Sequence, residues 1–91
     1  MKVDLLILIA DYFKVLSEPL RIKILTALQD GEKSVNEIAQ YVNSSQPNVS
    51  KHLGILIKAG FITRRQVKNV AYCSIADNRI WQICDISCGK N

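Results

Sequence analysis

Two helix-start signals stand ten residues apart in this chain, at Ser34 and Ser44, and that spacing constrains the fold more than any other feature. Ser34 and Glu37 have capping-box spacing, in which each side chain satisfies the other's backbone donor. Ser44 or Ser45 caps the second start, and Pro47 suits a first turn, where no backbone donor is needed. Only about two turns of helix fit between them. Val35, Ile38, Ala39 and Val42 give the short helix one apolar face. Val49, Leu53, Leu56 and Ile57 do the same for the longer one, with Pro47, Lys51, Gly54 and Lys58 on the opposite side and Ser50 and His52 on the flanks. Gly60 ends it. A short helix, a tight polar turn and a longer helix make a helix-turn-helix over 34–59.

The second of these helices begins with short hydrogen-bonding side chains and only then becomes apolar. Small residues keep a helix thin enough to enter the major groove of DNA, and an amide can pair with an adenine edge through two hydrogen bonds. Gln46, Asn48 and Ser50 are the candidates for base-edge contact. Ser44, Ser45, Lys51 and His52 are the candidates for phosphate contact, beside the free N–H groups of the helix start. The charge pattern agrees. The chain carries a net charge of +4, yet no Asp or Glu occurs between Ile38 and Ala76. Lys51, Lys58, Arg64, Arg65 and Lys68 give that window +5, against −1 for the remainder. A cationic block of this kind favours a polyanion over a bland solvated surface.

The remaining segments supply the frame. "VDLLILIADYFKVL" predicts a first helix whose apolar residues cover more than one face, so it needs cover on two sides. "SEPLRIKILTALQDG" predicts a second helix, with Ser17 or Glu18 accepting from its free N–H groups and Gly31 as the stop. After Phe61 the pattern becomes that of a two-stranded hairpin over 61–76, turning near Lys68-Asn69. Arg64, Arg65, Lys68 and Asn69 crowd on this ribbon, within reach of a neighbouring phosphate or minor groove. Asp77 or Asn78 starts a fifth, heavily apolar helix over 77–91. Ninety-one residues, 48% of them hydrophobic, form one small domain with apolar surface to spare, which points to a second copy of the chain. The expected fold class is therefore mainly α with a small β-hairpin: five helices, a two-stranded wing, and a dimer.

"LSEPLRIKILTAL", then "SVNEIAQYVNSSQPNVSKHLGILIKAGFI", then a basic hairpin ending in "YCSI", resembles the ArsR family (ArsR/SmtB) of winged-helix repressors over roughly residues 12–76. The run from Ser45 to Leu53 with the following Ala59-Gly60 is its most specific part. The resemblance implies a homodimer joined through its first (1–17) and last (77–91) helices, a palindromic double-stranded DNA operator, and release of DNA on binding a metal ion or on thiol oxidation. The chain also departs from the family's known sensors. It has "SVNEIAQ" where arsenic and cadmium members resemble one another in a Cys-Val-Cys motif, and no His follows His52. Neither that motif nor the zinc ligand set carries over.

Three cysteines remain: Cys73, Cys84 and Cys88. Cys84 and Cys88 are four apart and share one face of the last helix. Three readings stay open: apolar packing, thiol redox or an interchain disulfide, and a soft metal ion or arsenite held with help from Cys73 or the partner chain. No cofactor is otherwise implied. Three cysteines do not make a secreted disulfide framework, no signal peptide is recognisable, and the apolar run from Leu5 to Ala10 is too short to span a bilayer. The expectation is a soluble cytoplasmic protein with no membrane partner. One His, no glycine-rich phosphate loop and no paired acids beside a nucleophile argue against an enzyme. The alternatives to a regulated repressor are a DNA-binding protein that answers to no effector and a winged-helix module that grips a protein. The acid-free window weighs against the last.

Overall fold

Local sequence signals and one long-range strand pairing account for the architecture of the computed structural model, which describes residues 3–76. Among the described residues the order is α1 (Val3–Val15), α2 (Pro19–Ala27), β1 (Lys33–Ser34), α3 (Val35–Val42), α4 (Gln46–Lys58), β2 (Ile62–Val67) and β3 (Val70–Ile75). This is four helices and three strands, where the sequence led us to expect five helices and two strands. The expected fifth helix, with Cys84 and Cys88, lies outside the described residues. The additional strand is β1. It pairs antiparallel with β3, Lys33 opposite Cys73 and Ser34 opposite Tyr72, so β3 becomes the middle strand of a sheet ordered β1-β3-β2.

Each helix follows from its boundaries. Pro19 opens α2, but the expected side-chain cap is absent. Glu18 occupies the N-cap position without a side-chain hydrogen bond, and the Ser17 hydroxyl donates backward to the Lys14 carbonyl at 2.7 Å. Proline explains the tolerance, because it removes one of the N–H groups that would need a partner. Helix α2 ends at Ala27 and a turn carries the chain to Gly31, whose φ of +139° suits glycine. Ser34 and Glu37 form the full capping box at α3: the Ser34 hydroxyl accepts from Glu37 N at 3.1 Å, and Glu37 Oε1 accepts from Ser34 N at 2.8 Å. The hydrogen bond from Ser34 N, followed by that from the Ser34 hydroxyl, holds the Glu37 carboxyl below its ordinary range.

The core collects one face of each helix. Ile24, Leu25 and Leu28 from the α2 segment, Ile38 and Val42 from α3, and Val49, Leu53 and Leu56 from α4 are buried together with Phe61, Ile62 and Cys73. Helix α1 joins through Tyr12 and Val15, the Tyr12 ring packing 5.1 Å from that of Phe61. Away from these contacts, Ile7, Ile9 and Phe13 of α1 are 54%, 41% and 46% exposed. The second-sided apolar character read from the sequence is thus real at these positions.

Candidate nucleic-acid interface

The turn between α3 and α4 is built by Asn43, Ser44 and Ser45. Asn43 ends α3 in the left-handed region at φ 57°, a conformation asparagine tolerates better than most residues. Ser45 takes the N-cap of α4, and its hydroxyl accepts from Asn48 N at 3.3 Å. With Val49, Leu53 and Leu56 anchored in the core, the helix turns its opposite side to solvent. Gln46, Asn48, Ser50 and Lys51 are all exposed, with Lys51 on that opposite side and Ser50 on a flank.

The two amides that begin α4 are already engaged on one side. Gln46 Nε2 donates to Asn36 Oδ1 of α3 at 2.8 Å. Asn48 Nδ2 donates to the half-buried Ser44 hydroxyl at 3.0 Å. His52 is half-buried, and its Nδ1 accepts from Arg21 Nε at 3.2 Å. Arg21 in turn donates through Nη1 to the Val15 carbonyl at the end of α1, 3.1 Å away. The recognition-helix candidate is thereby tied to α1, a connection that sequence reading missed because 31 positions separate the pair.

The wing is the β2–β3 hairpin, with Val67 opposite Val70 and the two-residue turn Lys68-Asn69 between them. Lys68 adopts φ 55°, where glycine is the usual occupant. Arg64, Lys68 and Asn69 are exposed, and Arg64 donates to Gln66 Oε1 at 3.3 Å. Arg65 is exposed but paired: its Nε and Nη2 donate to the two carboxylate oxygens of Glu32, both at 2.7 Å, and its guanidinium lies 5.3 Å from the Tyr72 ring centre. Hydrogen bonding to Arg65 holds the Glu32 carboxyl below the usual carboxylate range. The acid-free window of the sequence is therefore not acid-free in space.

Cys73 is fully buried on the central strand, opposite Arg64 on one side and Lys33 on the other. Burial pushes its thiol pKa up, and the nearby Arg64 charge offsets this only in part. Among the described residues, no group of three or more His, Cys, Asp or Glu side chains is placed to hold a metal ion. No helix among them is long and apolar enough to cross a membrane.

A three-helix core, a helix-turn-helix whose second helix faces solvent, and a basic hairpin beside it define a winged helix-turn-helix protein. The family model described as "Bacterial regulatory protein, arsR family" matches residues 18–64. The chain belongs to that family. It is 38% identical over 65 residues to the biofilm growth-associated repressor of Xylella fastidiosa, covering 70% of this chain and 57% of that protein. The chain thus spans little more than half the length of that relative. It is 34% identical over 84 residues to the transcriptional repressor SdpR of Bacillus subtilis, covering 87% of this chain and 93% of SdpR. Its fold is similar to the solution structure of the homodimeric winged helix-turn-helix DNA-binding domain of Mb0332 from Mycobacterium bovis, with a TM-score of 0.82 and 26% identity, covering 94% of this chain and 82% of that one.

Proposed function

We propose that this chain is a sequence-specific, double-stranded DNA-binding transcriptional repressor, acting in the cytoplasm as a homodimer on a palindromic operator. Helix α4 lies in the major groove, with Gln46, Asn48 and Ser50 toward base edges and Ser44, Ser45 and Lys51 toward phosphates. Arg64, Lys68 and Asn69 on the wing reach the flanking backbone. The observation that carries this reading is the division of α4 itself: Val49, Leu53 and Leu56 hold one side in the core while the polar residues Gln46, Asn48, Ser50 and Lys51 are exposed to solvent. The exposed Ile7, Ile9 and Phe13 of α1 support pairing with a second copy, as does the homodimeric state of the Mycobacterium bovis domain. Pairing would set two such helices about 34 Å apart, one turn of the duplex.

A duplex library with a randomised core, selected by the protein, supplies the test. Gln46→Ala or Asn48→Ala is expected to lower affinity for the selected duplex far more than for a scrambled one. Equal losses on both would remove the base-reading role. Because Cys73 is buried with a raised pKa, any thiol or soft-metal response rests on Cys84 and Cys88. Repeating the titration of the reduced protein with arsenite, cadmium, zinc and a mild oxidant separates a sensor from a DNA binder that answers to none of them.

A further inference from the structure

We infer that Asn36, a residue of α3 outside the recognition helix, is a positioning residue that sets base preference by holding Gln46 in its reading orientation. The inference rests on the base-reading role proposed above. Gln46 is an exposed side chain with three rotatable side-chain torsions. Among the described residues its one side-chain hydrogen-bond partner is Asn36 Oδ1, which accepts from Gln46 Nε2 at 2.8 Å.

That bond has a chemical consequence. A glutamine amide offers two N–H donors and one carbonyl acceptor. When Asn36 takes the donor that points away from the carbonyl, one N–H and the carbonyl oxygen stay side by side. Adenine is the base whose major-groove edge presents the complementary pair, an acceptor at N7 and a donor at N6. In this arrangement the Nε2 end of the amide faces Asn36, and that sets the order of the free donor and acceptor. A freely rotating glutamine would have to be ordered at the moment of binding, and immobilising a side chain costs enough to lower affinity by roughly 2- to 10-fold. Asn36 meets that cost in advance. Asn36 and Gln46 also line one open crevice with Ala39, Gln40, Asn43 and Ser45, so the contact sits in a mostly polar, solvent-open setting.

The experiment compares wild type, Gln46→Ala, Asn36→Ala, Asn36→Asp and the double alanine variant on the randomised duplex library, with thermal melting and salt titrations of each. Wild type is expected to prefer adenine at one position of each half-site, and Gln46→Ala to lose that preference. Asn36→Ala should reduce it by about 2- to 10-fold, with melting midpoint and salt slope unchanged. Asn36→Asp keeps an acceptor for the same N–H, so its preference should stay near wild type while its added charge weakens every duplex alike. The double variant should discriminate no worse than Gln46→Ala alone. Full preference in Asn36→Ala, equal loss in Asn36→Asp, or additive loss in the double variant would overturn the positioning role while leaving Gln46 a reader. Retained preference in Gln46→Ala would overturn both.

Discussion

Releasing Arg65 from Glu32 should increase the number of phosphates the wing neutralises. The pair is bidentate, with both contacts at 2.7 Å, and the guanidinium is further held over Tyr72. Its Nη1 group makes no hydrogen bond among the described residues, but the positive charge is already matched. A phosphate approaching this edge meets the Glu32 carboxylate as well as the guanidinium, so few counterions are displaced. Glu32→Gln removes the competing charge and leaves a weaker amide partner. Each additional phosphate neutralised steepens the slope of log affinity against log salt by about 0.9. Over a change from about 50 to 200 mM salt, that is roughly a 3.5-fold further loss of affinity. Glu32→Gln should therefore steepen the slope by about 0.9, and Arg65→Ala in that background should remove the same amount. Arg65→Ala alone should change the slope much less. Anisotropy titrations of the four proteins on one duplex across a salt series measure all of this. If Arg65→Ala flattens the slope equally with and without Glu32, the pair does not compete with phosphate and the reasoning fails.

The same pair bears on pH. The folded pKa of Glu32 is depressed, chiefly by the hydrogen bond from Arg65. Its contribution is thus present above the unfolded pKa and is lost only as pH falls through the lower, folded value. Glu32 stays charged through the neutral range, so the differences among the four slopes should be the same at about pH 6 and pH 8. Both side chains sit at the surface, and breaking the pair should scarcely move the melting temperature.

Other perturbations test the frame that presents the site. Ser34→Ala removes the hydroxyl that caps α3 and should cost about 1 kcal/mol, seen as a melting temperature lower by roughly 4–8 °C; an unchanged midpoint would mean the box is idle. Gly54→Ala adds a methyl in the middle of α4, at a point with no neighbouring heavy atom within 4 Å. It should raise stability by about 0.5–1 kcal/mol, and a lower midpoint would reveal crowding on that face. In a chain carrying Cys84→Ser and Cys88→Ser, Cys73 should react with a thiol reagent only as fast as the protein unfolds, and denaturant should accelerate it. Rapid stoichiometric labelling of the native protein would contradict the burial of that thiol.

What the sequence revealed, and what it hid, divides by distance along the chain. The capping box joins Ser34 to Glu37 and the next cap joins Ser45 to Asn48, each across three positions. Signals this short are written into adjacent residues, so the helix-turn-helix and the wing turn at Lys68-Asn69 were legible. Strand β1 was not, because two residues cannot display an alternating pattern, and its pairing with β3 is a product of the fold. The side-chain cap expected at α2 failed for a different reason: Pro19 had already removed part of the need for it.

The contacts that set the electrostatics of the candidate interface were hidden for the same reason as β1. Arg65 meets Glu32 across 33 positions and Arg21 meets His52 across 31. Counting charges along the chain credits the window from Ile38 to Ala76 with five cations. The fold sets an acid against one of them, and it commits the Nδ1 lone pair of His52 to Arg21. Lys51, Lys58, Arg64 and Lys68 are then the cations of that window with no carboxylate partner among the described residues. A surface with fewer free cations depends more on hydrogen-bonded readers for its affinity at physiological salt. On that ground the bonds that hold Gln46 and Asn48 in place matter more than the net charge of the chain.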